Sequence, residues 1–380
     1  MSDITNKKLN IAMFGHKRVP SREGGVEIVV EELAVRMAQL SHNVTLYNRK
    51  GKHVSDSNLP QTKITDYKDV RIKSVLTIDK KGLAAVTSSF FAALRCAFSK
   101  ADVVHIHAEG PAFMTPLLKL FLKRVVVTVH GLDWQREKWS KGFASKYIKL
   151  GEKMAVKYAD EIIVLSNRVK EYFKDTYNRD TVYISNGVNA PEILDAQLIK
   201  KEYEVDKDSY ILFLGRLVPE KGVHHLIEAF KNVKTDKKLI IAGGTSDTDD
   251  YVETLTDSAK GDKRIVFAGF RQGQILAELF SNAYVYVLPS LLEGMPLSLL
   301  EAMSYKNCCL VSDIAECTEV VGDKAVIVKS GDVVKLTKAL QNLCDNAELV
   351  EKYKQTAQEY ILSKYNWDKV VEKTLALYEK

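Results

Sequence analysis

The stretch YILFLGRLVPEKGVHHLIEAFK, residues 210–231, decides the fold class. Its first seven residues form a short apolar run typical of a buried strand, and GVHHLIEAFK has the spacing of an amphipathic helix. The same alternation continues through KLIIAGG, RIVFAGF, YVYVLPS and NCCLVSD. Strands that alternate with helices imply crossover connections, so the pattern predicts a parallel sheet.

The N-terminal half shows the same pattern. It begins with LNIAMFG (9–15), and residues 26–40 follow with the apolar spacing of a helix. Further apolar runs are NVTLYNR, DVVHIH, RVVVTVH, EIIVLS and TVYISNG. The predicted class is therefore α/β, with two Rossmann-like parallel-sheet domains. Because binding loops follow the carboxyl ends of parallel strands, we expect the two domains to face a shared cleft.

The predicted boundaries follow the composition. We assign 1–190 to the N-terminal domain and 210–362 to the C-terminal domain. The stretch 191–209 is polar and lacks a strand pattern, so it is predicted to be the linker. Residues 363–380 are predicted to form a helix that packs back on the N-terminal domain.

Composition and charge narrow the function classes. The net charge is +6, but residues 1–190 hold 31 Lys+Arg against 19 Asp+Glu, and the remainder holds 24 against 30. A basic half suits an anionic surface or substrate, although solvated lysines explain it equally well. Five cysteines without CxxC spacing argue against a disulfide framework or zinc site and favour a cytoplasmic location. No signal peptide or membrane-spanning run is visible, so any membrane contact is expected to be peripheral.

The segment EGMPLSLLE, residues 293–301, follows the predicted strand YVYVLPS. Pro296 suits the first helical position, which places Glu293 before the helix and Glu301 about five residues into it. A helix N-terminus with free N–H groups binds phosphate, and carboxylates accept hydrogen bonds from sugar hydroxyls. An anion held between two such carboxylates describes a nucleotide sugar; a helix start with incidental glutamates is the alternative.

Two basic loops follow other strands. In GRLVPEKG (215–222), Arg216 and Lys221 are placed to neutralise a diphosphate, unless this is an ordinary surface loop. In HKRVPSREGGVE (16–27), Gly24 and Gly25 open a helix and allow close approach of a phosphate. That glycine pair is a weak signal by itself, and it is not the GxGxxG of dinucleotide-binding proteins.

Histidines stand at two further strand ends. His130 follows RVVVTV, where we expect it to face the cleft and either to bond a sugar hydroxyl or to act in proton transfer. A structural role is the alternative. His105 and His107 share one face of their strand, with Glu109 beyond them. No third ligand of suitable spacing accompanies them, so no metal site is predicted.

These segments together resemble glycosyltransferase family 4, whose members have the GT-B fold. The E-x7-E motif of that family matches Glu293 and Glu301, and its phosphate-binding pair matches Arg216 and Lys221. Its Gly-Gly loop, cleft histidine and NGV segment match residues 24–25, 130 and 186–188. The resemblance spans nearly the whole chain, and four segments in the right order are specific although each one alone is not.

The resemblance implies a metal-independent, retaining transfer from a nucleoside-diphosphate sugar that needs no cofactor. Glu301 would contact the ribose and Glu293 the donor sugar. The implied catalytic residues are His130, Arg216, Lys221 and Glu293, and the implied donor-binding residues are Gly24, Gly25, Phe270, Gly294, Met295, Pro296, Leu297 and Glu301. The acceptor side is assigned to His16, Lys17, Arg18, Glu109 and Asp133.

The expected function is transfer from a UDP- or TDP-sugar to a glycan or lipid-linked acceptor in bacterial cell-surface polysaccharide synthesis. Residues 134–158, where lysines alternate with aromatic residues, are expected to touch the anionic inner face of the plasma membrane. An inward-packing helix with solvated lysines is the alternative. A nucleotide-sugar epimerase and a non-catalytic nucleotide-sugar-binding protein also stay open. NAD-dependent oxidoreduction is disfavoured, and no nucleic-acid partner is expected.

Overall fold

The computed structural model describes residues 8–50, 64–78, 80, 82–135, 143–244 and 249–380. The chain divides into two compact units. The first unit comprises Met1–Asn186 and Trp367–Lys380, and the second comprises Gly187–Asn366. Each unit contains its own, mainly parallel, β-sheet, as the alternation of strands and helices predicts.

The first unit is built on a sheet of eight strands in the order β3-β4-β2-β1-β5-β6-β7-β8. All paired strands are parallel except β3, which is antiparallel to β4. The strands are β1 (Asn10–Phe14), β2 (Asn43–Arg49), β3 (Asp66–Tyr67), β4 (Val70–Val75), β5 (Val103–His107), β6 (Arg124–Val129), β7 (Glu161–Val164) and β8 (Val182–Tyr183). The helices are α1 (Gly25–Gln39), α2 (Leu83–Ala97), α3 (Thr115–Leu120), α4 (Phe143–Tyr158) and α5 (Asn167–Tyr177).

The central strands of this sheet are buried on both faces. β5 is buried throughout, and β6 carries four valines that are all buried. Continuous β-branched runs of this kind are typical of parallel strands covered by helices on both sides. The sequence pattern missed β3 and β4, because charged residues interrupt the apolar alternation in DYKDVRIKSV.

The C-terminal helix (Trp367–Glu379) belongs to the first unit. Tyr378 Oη lies 2.6 Å from Nδ1 of His105. The guanidinium of Arg124 donates to the carbonyl oxygen of Leu377 through Nε at 3.0 Å and through Nη2 at 2.7 Å. Polar contacts therefore hold the C-terminal helix against β5 and β6, and Trp367 at the start of this helix is buried.

The second unit has a wholly parallel sheet in the order β11-β10-β9-β12-β13-β14. Its strands are β9 (Tyr210–Leu214), β10 (Lys238–Ala242), β11 (Ile265–Gly269), β12 (Val285–Leu288), β13 (Cys308–Ser312) and β14 (Val326–Val328). Its helices are α6 (Leu198–Tyr203), α7 (Val223–Lys231), α8 (Asp249–Ala259), α9 (Gln274–Ser281), α10 (Leu297–Ser304), α11 (Ala315–Val321), α12 (Val333–Asp345) and α13 (Ala347–Lys364). This order reverses beside β9, as in the Rossmann arrangement.

The segment predicted to be a linker, 191–209, differs from the prediction. It contains α6 and belongs to the second unit, and the chain passes between units at Asn186–Gly187 and returns at Asn366–Trp367. The buried carboxylate of Glu278 accepts the N–H groups of Gln197, Leu198 and Ile199, which fastens the start of α6 to α9. The polar sequence of this segment does not predict the packing, because the carboxylate that holds it, Glu278, lies about 80 residues away in the chain.

Glycine permits close backbone approach where the strand order of each sheet reverses. In the first unit, a Cβ on Gly15, which follows β1, would lie 2.0 Å from the carbonyl oxygen of His107 at the end of β5. In the second unit, a Cβ on Gly222 would lie 2.1 Å from the carbonyl oxygen of Pro289, which follows β12. Both glycines also have positive φ, at 110° and 66°. A side chain at either position would push apart the loops that carry the predicted site residues.

Gly15→Ala should therefore destabilise the first unit more than its positive φ alone explains. Gly82→Ala is the matched control, because Gly82 has a φ of 84° but no atom of the described residues lies within 4 Å of its ideal Cβ. Forcing a methyl group into packed backbone costs about 1–3 kcal/mol, which corresponds to about 2–4 °C per kcal/mol in a chain of this size. Thermal unfolding should show Gly15→Ala melting at least about 2 °C below Gly82→Ala. Equal melting temperatures would show that the close approach does not constrain the fold.

Candidate functional site

The loops after β9 and β12 are joined at the point where the second sheet reverses. The carbonyl oxygen of Glu220 accepts the N–H of Leu291 at 2.8 Å, and Gly222 lies against Pro289. Pro219–Lys221 forms a single 3-10 turn that ends at Gly222. This backbone pairing brings the GRLVPEKG segment next to the EGMPLSLLE segment, which are about 70 residues apart in the sequence.

Lys221 and Glu293 form an ion pair across these two loops. Nζ of Lys221 lies 2.6 Å from Oε1 of Glu293, and Ser290 Oγ donates to the same oxygen at 2.7 Å. The Lys221 and Glu293 side chains are only 13% and 7% exposed, respectively. The pair therefore fixes the position of the Lys221 ammonium group.

The helix α10 begins immediately after this pair. Pro296 is its N-cap, with φ −77° and ψ 100°, and the first helical residue is Leu297. The prediction that Pro296 occupies the first helical position is therefore displaced by one residue, because its ψ is extended. Its side chain accepts no hydrogen bond, so the first N–H groups of α10 have no capping acceptor from the N-cap side chain. Glu301 is the fifth residue of this helix.

The other predicted donor-binding residues of the second unit follow nearby strands. Arg216 lies one residue beyond Gly215 at the end of β9 and is half-buried. Phe270 follows β11, where its ring is 37% exposed and its Cβ lies 3.5 Å from the ideal Cβ position of Gly244. Gly294, Met295 and Pro296 are buried. The second unit thus collects cations, a helix start and two carboxylates along one edge of its sheet.

In the first unit, the glycine-rich loop is arranged differently. Gly25 is the exposed first residue of α1, and Gly24 is its N-cap. The buried carboxylate of Glu27 accepts the N–H of Lys17 at 2.8 Å, and a Cβ on Gly24 would lie 2.3 Å from its Oε2. A carboxylate already stands at this helix start. The start of α10 is therefore the better-supported phosphate site of the two.

His16 follows β1 and is buried rather than presented at the surface. Its Nε2 lies 2.9 Å from Oδ1 of Asn48, which also accepts the N–H of Val19 at 3.1 Å. Burial lowers the pKa of His16 to about 4, so the ring is neutral at ordinary pH. Lys17, by contrast, is exposed and Arg18 is half-buried, so of these three acceptor-side residues the two cations reach solvent.

His130 follows β6 and is only 8% exposed, so the ring that we expected to face a cleft is largely covered. Its Nε2 lies 3.1 Å from Nδ1 of His107, and the two rings are stacked with their centroids 5.3 Å apart. His105 stacks on His107 at 4.1 Å, which agrees with their predicted common face. The three imidazoles form one contiguous column.

Two buried carboxyl groups hold the loop after His130. Oε2 of Glu109 accepts the N–H of Asp133 at 2.8 Å. Glu152 accepts from Trp134 Nε1 at 3.2 Å, from the Tyr172 hydroxyl at 2.9 Å and from the Tyr177 hydroxyl. Burial, helped by the neighbouring Glu152, raises the pKa of Glu109 well above its usual range. Glu109 therefore holds the loop after His130 through Asp133, and its acceptor-side role stays a prediction.

Sequence reasoning missed the side chains that organise these loops. Glu27, Asn48, Glu152 and Ser290 each bond a predicted site residue or a neighbour of one. Glu27 carried a usable signal, because an acidic residue in the first turn of a helix is a common capping element. The other three bond across 3 to 32 residues of sequence, and no local pattern marks them. Among the described residues, no group of three His, Cys, Asp or Glu side chains is placed to hold a metal ion.

Two family models match the chain. The model described as "Glycosyltransferase Family 4" matches residues 23–191, and the model described as "Glycosyl transferases group 1" matches residues 195–360. The chain is 26% identical over 309 residues to alpha-maltose-1-phosphate synthase of Mycolicibacterium smegmatis, covering 74% of this chain and 79% of that protein. It is 28% identical over 300 residues to the Escherichia coli UDP-Gal:alpha-D-GlcNAc-diphosphoundecaprenol alpha-1,3-galactosyltransferase, covering 73% and 75%.

Solved structures share the fold. Sucrose-phosphate synthase from Thermosynechococcus elongatus matches with a TM-score of 0.82 at 20% identity and covers 98% of both chains. HepE from Anabaena, solved in complex with UDP and glucose, matches with a TM-score of 0.80 at 15% identity, covering 97% of this chain and 98% of that one. The two parallel-sheet units have the GT-B fold.

The ion pair predicts a measurable coupling that does not depend on any activity. In Lys221→Met or Glu293→Gln alone, the remaining charge of a largely buried pair loses its partner, whereas the double variant leaves neither charge. Urea denaturation of the full chain should give a double-mutant coupling free energy of at least about 1 kcal/mol. Effects that add to within about 0.5 kcal/mol would contradict a structural link between the two loops.

Proposed function

Because the chain belongs to glycosyltransferase family 4, we propose that it transfers a hexosyl or deoxyhexosyl group, with retention, from a nucleoside-diphosphate sugar to a glycan or lipid-linked oligosaccharide. UDP- and TDP-sugars are the favoured donors, and cell-surface polysaccharide synthesis is the proposed setting. The observation that carries the proposal is the Lys221–Glu293 pair beside the start of α10. This pair places Lys221, the proposed diphosphate-binding cation, beside Glu293, the carboxylate proposed to bind the sugar hydroxyls.

Two relatives support the donor class. HepE, which shares the fold, was solved with UDP and glucose, and the E. coli relative is named for UDP-Gal and a diphosphoundecaprenol-linked acceptor. The ligands of HepE and the substrates named for the E. coli relative favour a UDP-sugar and a lipid-linked glycan for this chain as well.

In the proposed reaction, the bond between the anomeric carbon and the β-phosphate oxygen breaks, and its electron pair leaves with the nucleoside diphosphate. Arg216, Lys221 and the first N–H groups of α10 stabilise the charge that develops on this leaving group. The acceptor hydroxyl oxygen attacks the same face of the sugar, and its proton passes to the departing phosphate. Glu293 holds the sugar hydroxyls and Glu301 the ribose.

The two carboxylates are suited to different parts of the donor because they stand on opposite sides of the start of α10. Glu293 precedes the helix and is fixed by Lys221 and Ser290. Glu301 lies one helical turn inside α10. The phosphates would meet the N–H groups between them.

Arg216→Ala and Lys221→Ala should each lower turnover by about 100-fold or more, the scale of removing one preorganised charge donor. Lys338→Ala is the matched control, because Lys338 is exposed on α12 of the same unit. Release of free nucleoside diphosphate, with and without acceptor, is the measurement.

Near wild-type turnover in either variant would show that the loop after β9 does not bind the diphosphate. Conversion of the donor without release of nucleoside diphosphate would favour the epimerase alternative. Donor binding with no turnover for any acceptor would favour a non-catalytic binding protein.

We also propose that the reaction needs no metal ion. Arg216, Lys221 and the start of α10 supply the positive charge that a divalent ion would otherwise bring to the diphosphate. Activity should therefore persist within about twofold in excess EDTA, since EDTA does not alter the preorganised donors. Loss of activity that Mg²⁺ or Mn²⁺ restores would contradict this.

The membrane contact predicted for residues 134–158 stays a prediction. In α4, Lys146, Lys149 and Lys153 are exposed, whereas Ile148 is buried. Lys149 Nζ lies 4.3 Å from the ring centroid of Trp134. Trp139, also part of the prediction, lies outside the described residues. Within the described ranges, no helix is both long and apolar enough to cross a bilayer.

An exposed apolar surface lies at the carboxyl ends of α2 and α3, and we call it the α2–α3 surface. Phe98, Leu120 and Leu122 are 73%, 79% and 92% exposed, and the Phe98 and Phe121 rings touch with centroids 4.7 Å apart. The sequence of α2 contains no carboxylate, and Arg95 and Lys100 are exposed beside the aromatic pair. Exposed apolar side chains beside exposed cations suit an anionic bilayer.

We propose that the α2–α3 surface rests on an anionic membrane. A triple variant Phe98→Ser, Leu120→Ser, Leu122→Ser should lose most co-sedimentation with phosphatidylcholine–phosphatidylglycerol vesicles, because each buried side chain contributes about 1.5–3 kcal/mol. Lys146→Glu, Lys149→Glu, Lys153→Glu on α4 is the comparison and should lose less. If the wild-type protein stays in the supernatant at low salt, the membrane proposal is wrong and a soluble acceptor is favoured.

A further inference from the structure

The last residue of β2, Arg49, brings a cation to the carboxyl edge of the first sheet. Its backbone N–H donates to the carbonyl oxygen of Lys17 at 2.8 Å, and its Nη2 donates to the carbonyl oxygen of Gly15 at 3.3 Å. Arg49 is half-buried. Burial lowers its pKa, Glu27 and Tyr147 raise it, and an arginine keeps its charge in a folded protein. A permanent positive charge therefore lies against the loop that follows β1.

This guanidinium has unused hydrogen-bonding capacity. It carries five N–H groups, and with the described residues it makes one hydrogen bond, the 3.3 Å contact to Gly15. The neighbouring carboxylate of Glu27 is engaged by the N–H of Lys17 at 2.8 Å. A largely desolvated cation with few hydrogen bonds is costly unless an anion or further acceptors meet it. The unused N–H groups therefore suit an additional, oxygen-rich partner.

A second donor, the hydroxyl group of Tyr147 on α4, interacts electrostatically with Arg49. The Tyr147 ring packs against Phe113, with the ring centroids 5.4 Å apart, and its Cε1 lies 3.4 Å from the ideal Cβ position of Gly110. The hydroxyl oxygen is buried and has no hydrogen-bond partner among the described residues. Burial raises the pKa of Tyr147 to about 12, and Arg49 opposes that rise, so the hydroxyl stays protonated and able to donate. Two neighbouring donors, one from β2 and one from α4, are thus both short of acceptors within the described residues.

The loop after β1 adds positive charge to this edge of the sheet. Lys17 is exposed and Arg18 is half-buried. Together with Arg49 they are three cations, and the carboxylate bonded to this loop is that of Glu27. In the proposed reaction, the donor diphosphate is neutralised by cations of the second unit. The positive charge of the first unit is therefore left for the other substrate, the acceptor.

We propose that Arg49 and Tyr147 form a phosphate-binding site in the first unit, and that this site takes a phosphate group of the acceptor. The identity of the acceptor rests on the proposed function, whereas the affinity for phosphate does not. A planar guanidinium donates two parallel hydrogen bonds to a phosphate, and the phenol hydroxyl adds a third donor. A lipid-linked diphosphate and a soluble sugar phosphate both present these oxygens, whereas a neutral glycoside does not.

Inorganic phosphate tests the site without turnover. In the full-length protein with isotope-labelled arginine, nuclear magnetic resonance reports the Nε–H signal of Arg49, which Arg49→Lys assigns. This signal should shift saturably with added phosphate, whereas that of Arg71, exposed on β4, should shift no more than in chloride of equal ionic strength. Tyr147→Phe removes one donor and should weaken the apparent affinity by about threefold or more.

The absence of a saturable shift at Arg49 would overturn the proposal. So would equal affinities in the wild-type protein and Tyr147→Phe, because the hydroxyl group would then not contact phosphate. These readings hold even if the chain transfers no sugar to any acceptor tested, so failure of this site and failure of the proposed function are distinguishable.

Acceptor kinetics identify the source of the phosphate. One sugar is offered in three forms: linked to a short prenyl diphosphate, as a sugar phosphate and as a neutral methyl glycoside. Arg49→Lys keeps the charge but loses the parallel pair of donors. It should raise the KM for a phosphate-bearing acceptor about 10-fold or more, while the KM for the donor changes less than about threefold. Arg71→Gln is the control and should change neither.

A rise for either phosphate-bearing acceptor supports the proposal, and the acceptor with the larger rise identifies the source of the phosphate. Tyr147→Phe should show the same selectivity to a smaller extent, and it replaces Arg49→Lys if that variant does not fold. No rise for any acceptor, or equal rises for all three, would mean that Arg49 only supports the fold, which would overturn the proposal.

Discussion

Close approach between backbones at the reversal of each sheet is the constraint on which the rest of the structure depends. Gly222 lies against the carbonyl of Pro289 in the second unit, and Gly15 lies against that of His107 in the first. In a parallel sheet whose strand order reverses, the two loops beside the reversal diverge and leave a crevice. Glycine lets them meet at the base of that crevice. In the second unit this contact is what allows a lysine after β9 to reach a glutamate after β12.

The two units differ in the charges of the side chains that line the loops beside the sheet reversal. In the second unit, cations, a helix start and partly exposed carboxylates stand together, which suits a ligand that is anionic at one end and rich in hydroxyls at the other. In the first unit, the equivalent positions hold buried, neutral imidazoles and a carboxylate, Glu27, that already occupies the helix start. At these strand ends the first unit therefore places neutral imidazoles, and the charge of its first loop is carried by the solvent-accessible Lys17 and Arg18.

Much of this fold was predictable because parallel strands that are buried on both faces have continuous apolar sequences. LNIAMFG, RVVVTVH and YILFLGR each became a strand, and the loops that follow them carry the predicted site residues. The prediction was less accurate where long-range polar contacts decide the structure. Glu278 accepts backbone hydrogen bonds from the polar segment 191–209 and so fixes it to the second unit. Glu152 accepts hydrogen bonds from three side chains that are distant in the sequence. The burial of His16 and His130 depends on neighbours that no local sequence pattern identifies.

In the proposed site, Glu293 and Glu301 contact different parts of the donor, and the phosphates lie at the start of α10 between them. Calorimetric titration of the full chain with UDP alone, and then with UDP-glucose, tests it most directly. Glu301→Ala should weaken binding of UDP by about 10-fold or more, on the scale of about 1.4 kcal/mol per tenfold, whereas Glu293→Ala should leave UDP affinity nearly unchanged and reduce only the additional affinity for the sugar nucleotide. Equal loss of UDP affinity in both variants, or loss in Glu293→Ala alone, would contradict the proposal that the two carboxylates contact different parts of the donor.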